Sequence, residues 1–310
     1  MNSEDEFPVI RVTQEHCEAS SDETMGTKPK FWIDHEELGC CLYKQVKRPN
    51  VGEDWSEKVA SELCELLGLP HVTYHLAETW EGSRGVVSPC FLPKGGTLVH
   101  GNEILTPIVE NYPTKATYRN SHHTIDNVLK VIEADNINLP LDWKVPSGIQ
   151  KAVEAFVGYL LLDAWIGNGD RHHENWGFIQ IKKGVNSPEK IHLAPTYDHA
   201  SCLGRELSDE DRRNRQIDSY SNRCKSAFYA SVEDAKPMKI FDVFQDVALR
   251  YPQAANIWLN RLESISKENM LSILNRIPQK NRISDIAVEF AQSILELNQN
   301  RLLNVRKLLK

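Results

Sequence analysis

The sequence predicts an α+β protein of two lobes, with a small β-rich amino-terminal lobe at residues 1–92 and a larger, mainly helical carboxy-terminal lobe at residues 93–310. Three observations favour this architecture. The chain has 310 residues, enough for two domains of ~150 residues each. Short β-rich runs around one amphipathic segment occupy the first part, whereas helical spacing dominates the second. Residues 93–96 (PKGG) form a glycine-containing connector between the two patterns.

In the amino-terminal lobe, residues 1–30 are polar and are predicted to form a mobile lead-in that ends in a glycine-containing turn. Residues 31–33 (FWI) and 40–46 (CCLYKQV) are β-rich runs separated by turn-type residues, which predicts a hairpin. Two further strands are predicted at residues 72–77 and 85–92, again around a short turn.

One helix is predicted between these strand pairs. Apolar residues recur at i, i+3, i+4 and i+7 from Ala60 to Leu67, which is the spacing of a buried helix face. Asp54 and Glu57 have the spacing of a capping box at its start. Gly68 stands where a helix commonly ends in a left-handed residue.

The carboxy-terminal lobe is predicted to be helical apart from one strand pair. Four segments have helical spacing, at residues 126–134, 149–166, 240–249 and 288–310. The strand pair comprises residues 176–181 and 190–193, joined by a turn.

Composition excludes several classes of protein. Hydrophobic residues make up 41% and charged residues 25%, as in an ordinary globular protein. The net charge of −7 argues against broad binding to nucleic acid or to anionic membranes. No apolar run approaches the ~18 residues of a membrane span, and the acidic start is unlike a signal peptide. The seven cysteines form no CxxC pair, so a reduced cytoplasmic compartment is expected, with export by a route lacking a cleavable signal left open.

The segment richest in chemistry is residues 166–177 (IGNGDRHHENWG), a loop between a predicted helix and a predicted strand. Asp170 could accept a hydrogen bond from an attacking hydroxyl. Asn175, five residues later, has a side-chain oxygen of the kind that Mg²⁺ prefers. Kinase catalytic loops use the same D-x₄-N spacing, so this loop points to phosphoryl transfer.

Other candidates occur in the order in which kinases use them. Asp198 ends residues 193–198 (LAPTYD), after the predicted strand pair, where a second magnesium-binding Asp would lie. Lys44 lies in a β-run from which it could reach nucleotide phosphates, and Glu57 shares a helix face with Ala60 and could pair with it. Residues 26–30 (GTKPK) could cover phosphates with backbone amides and lysines.

Each of these residues has an ordinary structural explanation when it is taken singly, and it is their common order that favours the kinase hypothesis. His172 and His173 raise a zinc alternative, which we disfavour because no H-E-x-x-H motif or His-Asp dipeptide occurs. His172 is instead expected to pack under the loop and position it.

The loop at residues 167–175 (GNGDRHHEN) and the LAPTYD segment resemble the HipA family of bacterial serine/threonine kinases, in the short, stand-alone form of HipT- and CtkA-like kinases. In that family G-N-x-D-x-H-x-x-N and L-x-P-x-Y-D motifs form the active site. The similarity extends over residues 24–300 and implies a bilobal, protein-kinase-like (HipA-like) fold. A lysine commonly precedes the family's loop Asn, whereas Glu174 stands here, which could alter substrate contacts.

The resemblance implies ATP and Mg²⁺ as cofactors and assigns a role to each candidate. Asp170 would be the catalytic base, Lys44 and Glu57 the phosphate-contacting ion pair, and Asn175 and Asp198 the magnesium ligands. Further residues are expected to contact the nucleotide: Gly26, Thr27, Lys28 and Lys30 at the phosphates, and Pro89 and Phe91 at the adenine. Members autophosphorylate a serine in or before the phosphate loop, and the hydroxyls available here are Ser20, Ser21, Thr24 and Thr27.

The substrate and partners follow only by analogy. The resemblance implies a protein substrate, which could be an aminoacyl-tRNA synthetase. It leaves open that the chain is the toxin of a toxin–antitoxin system, with an antitoxin or a separate amino-terminal subdomain protein as its partner. No membrane and no direct nucleic-acid partner is expected. Two other functions stay open: a kinase for small molecules or phosphoinositides, and a non-catalytic nucleotide-binding module.

Overall fold

We describe a computed structural model over residues 6–18, 21–22, 30–48, 51–182 and 189–309. Several predicted nucleotide-contacting or phosphorylated residues lie outside this part of the chain: Ser20, Thr24, Gly26, Thr27 and Lys28.

The amino-terminal part is built on a six-stranded mixed sheet. In chain order its strands are β1 (Val9–Val12), β2 (Ser21–Asp22), β3 (Lys30–His35), β4 (Gly39–Gln45), β5 (His75–Thr79) and β6 (Arg84–Pro89). They lie in the order β1-β5-β6-β4-β3-β2, and every pairing is antiparallel except that of β1 with β5. Both predicted strand pairs are therefore present, as β3–β4 and β5–β6.

The prediction of a mobile lead-in over residues 1–30 is wrong for a large part of that stretch. β1 and a short helix, α1 (Gln14–Glu18), lie within it. The side chains of Phe7 and Val12 are buried. A four-residue strand, VIRV, is too short for alternation to stand out in a polar segment. Its pairing with β5 and the burial of Val12 against the sheet stabilise it.

Helix α2 (Glu53–Leu67) packs between this sheet and the helical part of the chain. Gly68 ends it in the left-handed conformation with φ of 69°, as predicted. The predicted capping box is wrong: Gly52 is the N-cap, and within the described part of the chain no side chain forms a capping hydrogen bond to the helix. Asp54 lies instead between two guanidinium groups, with Oδ1 3.3 Å from Arg84 and Oδ2 2.5 Å from Arg282. Tertiary ion pairing thus replaces local capping.

A second sheet of four strands begins the carboxy-terminal part. Its strands are β7 (Gly96–His100), β8 (Ile137–Asn138), β9 (Gly177–Ile181) and β10 (Lys190–Leu193), in the order β7-β9-β10-β8. The predicted β9–β10 pair is confirmed, whereas β7 and β8 were not predicted from the sequence.

Helices form the rest of the molecule. They are α3 (Gly101–Leu105), α4 (Ile125–Ile132), α5 (Ala152–Ile166), α6 (Asp209–Asn214), α7 (Ile217–Arg223), α8 (Ile240–Arg250), α9 (Pro252–Glu263), α10 (Lys267–Asn275) and α11 (Asp285–Val305). The core is centred on α5, which is buried along almost its whole length and contacts α8, α9 and α11. None of the described helices is both long enough and apolar enough to span a membrane.

The predicted fold class, an α+β protein with a β-rich amino-terminal lobe and a mainly helical carboxy-terminal lobe, is confirmed. The four predicted helices correspond to α4, α5, α8 and α11. The boundary at residues 92 and 93 stays a prediction, because one continuous core joins α2 to α5 and the helices around it.

Candidate active site

The loop that carries Asp170 begins where α5 ends. Gly167 ends the helix in the left-handed conformation with φ of 71°. Asp163, in the last turn of the helix, accepts hydrogen bonds from Asn168 Nδ2 at 2.7 Å and from Arg171 Nη2 at 2.8 Å, and a further one from Arg171 Nε. Both members of the Asp163–Arg171 ion pair are almost fully buried. This pair fixes the path of the loop over the end of the helix.

The same loop positions Asn175 against Asp170. Arg171 Nη1 donates to the backbone oxygen of Asn175 at 3.1 Å. The side-chain nitrogen of Asn175 donates to the backbone oxygen of Asp170 at 2.7 Å. Because this nitrogen is engaged, the amide oxygen of Asn175 is the atom that could ligate a metal ion.

The Asp170 carboxylate is 28% exposed and is contacted from two sides. Ser201 Oγ donates to Oδ2 at 3.2 Å, and His172 Nε2 lies 3.9 Å from Oδ1. His172 Nδ1 accepts a hydrogen bond from the backbone of Glu174, so in the neutral ring it is Nε2 that carries the proton facing Asp170. Burial raises the pKa of Asp170 above its ordinary value, and nearby Asp198 adds to this, whereas His172 opposes it.

Asp198 lies opposite Lys44, on the other side of the junction between the two parts of the chain. It has a φ of 58°, a left-handed conformation that few residues other than glycine adopt. The backbone N–H of Asp198 donates a hydrogen bond to the hydroxyl of Tyr74 at 3.2 Å. Oδ2 of Asp198 lies 3.2 Å from Lys44 Nζ. Burial by itself lowers the pKa of Lys44. The charge of Asp198 and the hydrogen bond to it, together with the charges of Tyr74 and Glu57, outweigh this effect, so the pKa is raised and Lys44 carries a positive charge.

The predicted pairing of Glu57 with Lys44 differs from what the described residues show. Glu57 Oε1 accepts a hydrogen bond from the backbone of His199 at 2.6 Å, and it lies 3.7 Å from the Nδ1 of the same residue. The salt bridge of Lys44 goes to Asp198 instead. Glu57 therefore holds the segment that follows Asp198, while its charge still raises the pKa of Lys44.

The other predicted nucleotide contacts lie around the same junction. Lys30 of β3 lies opposite Lys44 of β4 in the antiparallel register, so the two lysines are on neighbouring strands. Pro89 ends β6, and the ring of Phe91 stacks on that of Tyr197 with centroids 6.1 Å apart. Ser21 lies in β2, with its backbone paired to β3. An apolar cluster extends from Phe91 between the two sheets: Val72, Tyr74, Val86, Ile179, Ala194 and Tyr197.

The donor set fits a magnesium–nucleotide complex better than a zinc ion. Over the described residues, no group of three or more His, Cys, Asp and Glu side chains is arranged to bind a metal. His173 Nδ1 contacts the Tyr112 hydroxyl at 2.8 Å, and burial lowers the pKa of His173 to about 4. A carboxylate of Asp198 and an amide oxygen of Asn175 suit Mg²⁺, which is usually bound by few protein ligands together with water and phosphates.

Sequence reasoning missed several residues of this site. Asp163 could have been noticed, because it is the one charged residue between positions 155 and 166 of an otherwise apolar segment. Ser201, Arg205 and Tyr74 carry no comparable signal, since their contacts depend on how distant segments pack.

Comparison with known proteins supports the fold. The chain is similar to the crystal structure of the Helicobacter pylori proinflammatory kinase CtkA, with a TM-score of 0.72 and 19% identity over 96% of this chain and 97% of that one. It is also similar to HipA of the Shewanella oneidensis MR-1 toxin–antitoxin system, solved with HipB and operator DNA, with a TM-score of 0.55 and 13% identity over 92% and 67% of the two chains. No family model and no curated protein matches the sequence. The predicted likeness to HipA and CtkA is thus confirmed as a likeness of fold.

Proposed function

We propose that this protein, which has the fold of CtkA and HipA, is an ATP- and Mg²⁺-dependent serine/threonine protein kinase of the HipA type. The observation that carries the proposal is the convergence of four side chains from three separate segments of the chain: Lys44, Asp170 with Asn175, and Asp198. Lys44 and Asp198 are 3.2 Å apart, Ser201 in the segment just after Asp198 bonds to the Asp170 carboxylate at 3.2 Å, and Asn175 is bonded to the backbone of Asp170.

Asp170 is the proposed base. Its carboxylate accepts the proton of a serine or threonine hydroxyl as the hydroxyl oxygen forms a bond to the γ-phosphorus of ATP and the bond to ADP breaks. Lys44 neutralises charge on the phosphates, and in doing so exchanges Asp198 for a phosphate oxygen as its partner. Asp198 and Asn175 would hold the magnesium ion, which supplies further charge neutralisation when it is bound.

The surface beside Asp170 suits a large acceptor. Tyr118 is 68% exposed, and its ring lies edge-on to His172 with centroids 5.4 Å apart. Thr117 contacts the Glu174 side chain at 3.4 Å, so this segment lies along the catalytic loop. An exposed aromatic side chain next to the base can contact a polypeptide. This favours a protein as the phosphate acceptor over a small molecule bound in an enclosed pocket.

The finer parts of the proposal rest on the resemblance. They are autophosphorylation among Ser20, Ser21, Thr24 and Thr27, a protein substrate such as an aminoacyl-tRNA synthetase, an antitoxin or subdomain partner, and a cytoplasmic location. A phosphate placed before the phosphate loop would add about −1.5 to −2 charge and could pair with Lys28 or Lys30.

The test is phosphate transfer from γ-labelled MgATP by the parent chain and by Asp170→Asn, to itself and to proteins in a cell extract. We expect labelling that falls by about 10²–10⁴-fold in the variant, as for loss of a general base. Labelling that is equal in the two would contradict the assignment of Asp170. Transfer to small alcohols but not to any protein would favour a small-molecule kinase, and MgATP binding without turnover a non-catalytic module.

A further inference from the structure

Two residues after Asp198, which are not part of the kinase motifs, are linked to Asp170: Ser201 directly and Arg205 through Ser201. Ser201 Oγ donates to Asp170 Oδ2 at 3.2 Å, and Arg205 Nη2 donates to the same Ser201 oxygen at 3.1 Å. Ser201 therefore stands between a carboxylate and a guanidinium, with its proton directed to the former and its lone pair to the latter. Arg205 polarises the hydroxyl and so strengthens its hydrogen bond to Asp170.

Arg205 also reaches the beginning of α2. Its Nη1 forms a salt bridge with Glu53 Oε1 at 2.7 Å, and its backbone oxygen accepts a hydrogen bond from Gly52 at 3.1 Å. The other carboxylate oxygen of Glu53 accepts from the backbone of Lys47 at 2.9 Å. A continuous polar chain therefore runs from the candidate base to the start of α2 and on to Lys47, two residues after the end of β4.

The segment that carries these residues is held rigidly. Leu203 has a φ of 55°, an unfavourable conformation for leucine, and its backbone donates to Ile166 at 3.0 Å. Ser56 Oγ donates to the backbone oxygen of Ala200 at 2.8 Å. Several hydrogen bonds from α2 and α5 thus impose the conformation that directs the Ser201 hydroxyl at Asp170.

We propose that Ser201 and Arg205 are positioning residues for Asp170, an inference that rests on the proposed kinase function and deepens it. Because Ser201 already donates to Oδ2 and no described residue donates to Oδ1, Oδ1 is the oxygen better placed to accept the proton of the acceptor hydroxyl. His172 lies beyond hydrogen-bond distance of Oδ1, at 3.9 Å, and so does not compete with an acceptor for it. Arg205 couples this orientation to α2 through Glu53.

The experiment measures turnover of γ-labelled MgATP with dephosphorylated casein as the probe acceptor, in the parent chain, Ser201→Ala, Ser201→Thr and Arg205→Ala. We expect Ser201→Ala to lower kcat by about 10–100-fold, the size of effect that a misplaced catalytic group produces, with little change in the KM for ATP. Ser201→Thr keeps the hydroxyl and should restore most of the rate. Arg205→Ala should resemble Ser201→Ala.

A double-mutant cycle separates positioning from a general structural role. If Ser201 acts through Asp170, adding Ser201→Ala to Asp170→Asn lowers the rate little further, whereas independent effects multiply. Ser293→Ala is the matched control, since among the described residues this exposed serine bonds to Glu289 in the preceding turn of its own helix and to no other group. Thermal unfolding of each variant identifies any loss of rate that comes from loss of fold.

The outcomes are distinguishable. An active parent with an equally active Ser201→Ala overturns the positioning role and leaves the kinase proposal in place. Multiplicative losses in the cycle, or a Ser201→Thr variant as impaired as Ser201→Ala while both remain folded, also overturn it. A folded parent that transfers no phosphate to casein, to itself or to water contradicts the kinase function and the positioning role together.

Discussion

Lys44 Nζ lies 3.2 Å from Asp198 Oδ2, so a strand of the β-rich part and the segment after β10 are joined by an ion pair at the centre of the candidate site. The two side chains are unequally covered, with Lys44 16% and Asp198 36% exposed. Asp198 is therefore the member that a metal ion could approach from solvent. Nucleotide binding would replace this pair with two new ones, from Lys44 to phosphate and from Asp198 to metal.

Replacing Lys44 should remove phosphate contact without unfolding the chain. We expect Lys44→Met to lower phosphoryl transfer by about 10²–10³-fold, a typical loss when one preorganised electrostatic contact is removed. The stabilisation of the protein by MgATP in thermal unfolding should also decrease. Lys130→Met, at an exposed position on α4, is the control and should change neither quantity. Undiminished transfer by Lys44→Met would remove Lys44 from the mechanism.

Substitutions of Glu57 can distinguish its two suggested partners. If its role is to accept the hydrogen bond from His199, Glu57→Gln keeps an acceptor oxygen and should retain activity within about tenfold, since hydrogen bonds to neutral acceptors are weaker by about half. Glu57→Ala should lose much more. Activity lost equally in both variants would mean that the charge next to Lys44 matters more than the contact with His199. Steady-state rates with γ-labelled ATP provide the measurement.

The Asp163–Arg171 pair should be costly to break. Asp163→Asn leaves a buried guanidinium without its counter-ion, so the free energy of unfolding should fall by about 3–5 kcal/mol. Urea denaturation followed by circular dichroism gives this quantity. Glu263→Gln breaks an exposed pair with Arg306 and should cost about 1 kcal/mol or less. Similar losses in the two variants would show that burial of the Asp163 pair contributes little.

Because His123 is buried as a neutral ring, we expect the protein to lose stability in acid. Burial lowers the pKa of His123 from its ordinary value of 6.5 to about 3, although the hydrogen bond of Nδ1 to the Ala227 carbonyl opposes this shift. Trp176 Nε1 donates a hydrogen bond to His123 Nε2, which is therefore the unprotonated nitrogen of the neutral ring. The unfolded chain thus binds a proton between these values that the folded chain does not, so the stability present above pH 6.5 decreases as the pH falls towards 3. Urea midpoints at several pH values would measure the slope.

The matched variant is His123→Gln, which removes the titrating group. Its stability at pH 7 is expected to fall through lost packing, but its dependence on pH between 6.5 and 3 should be shallower than that of the parent chain. An unchanged slope in the variant would mean that other groups account for the acid sensitivity.

The features that could be predicted from the sequence are local ones. The β3–β4 hairpin follows from two β-rich runs around a turn, and α2 follows from its apolar spacing and the glycine at its end. The proximity of Asp170 and Asn175 follows from five-residue spacing in one loop. Helices α6 and α7 escaped prediction because few of their residues are buried, so they lack an apolar face.

The sequence by itself determined the fold class, the loop chemistry and the order of the candidate residues, because these depend on neighbours within a few positions. Tertiary structure alone decided that Glu57 bonds to His199, that Lys44 bonds to Asp198 and that Ser201 bonds to Asp170. A glutamate on a helix or a serine in a loop is compatible with many partners. The packing of α2 and α5 against the segment after β10 selects one of them, since most polar groups that become buried are paired with a hydrogen-bond partner.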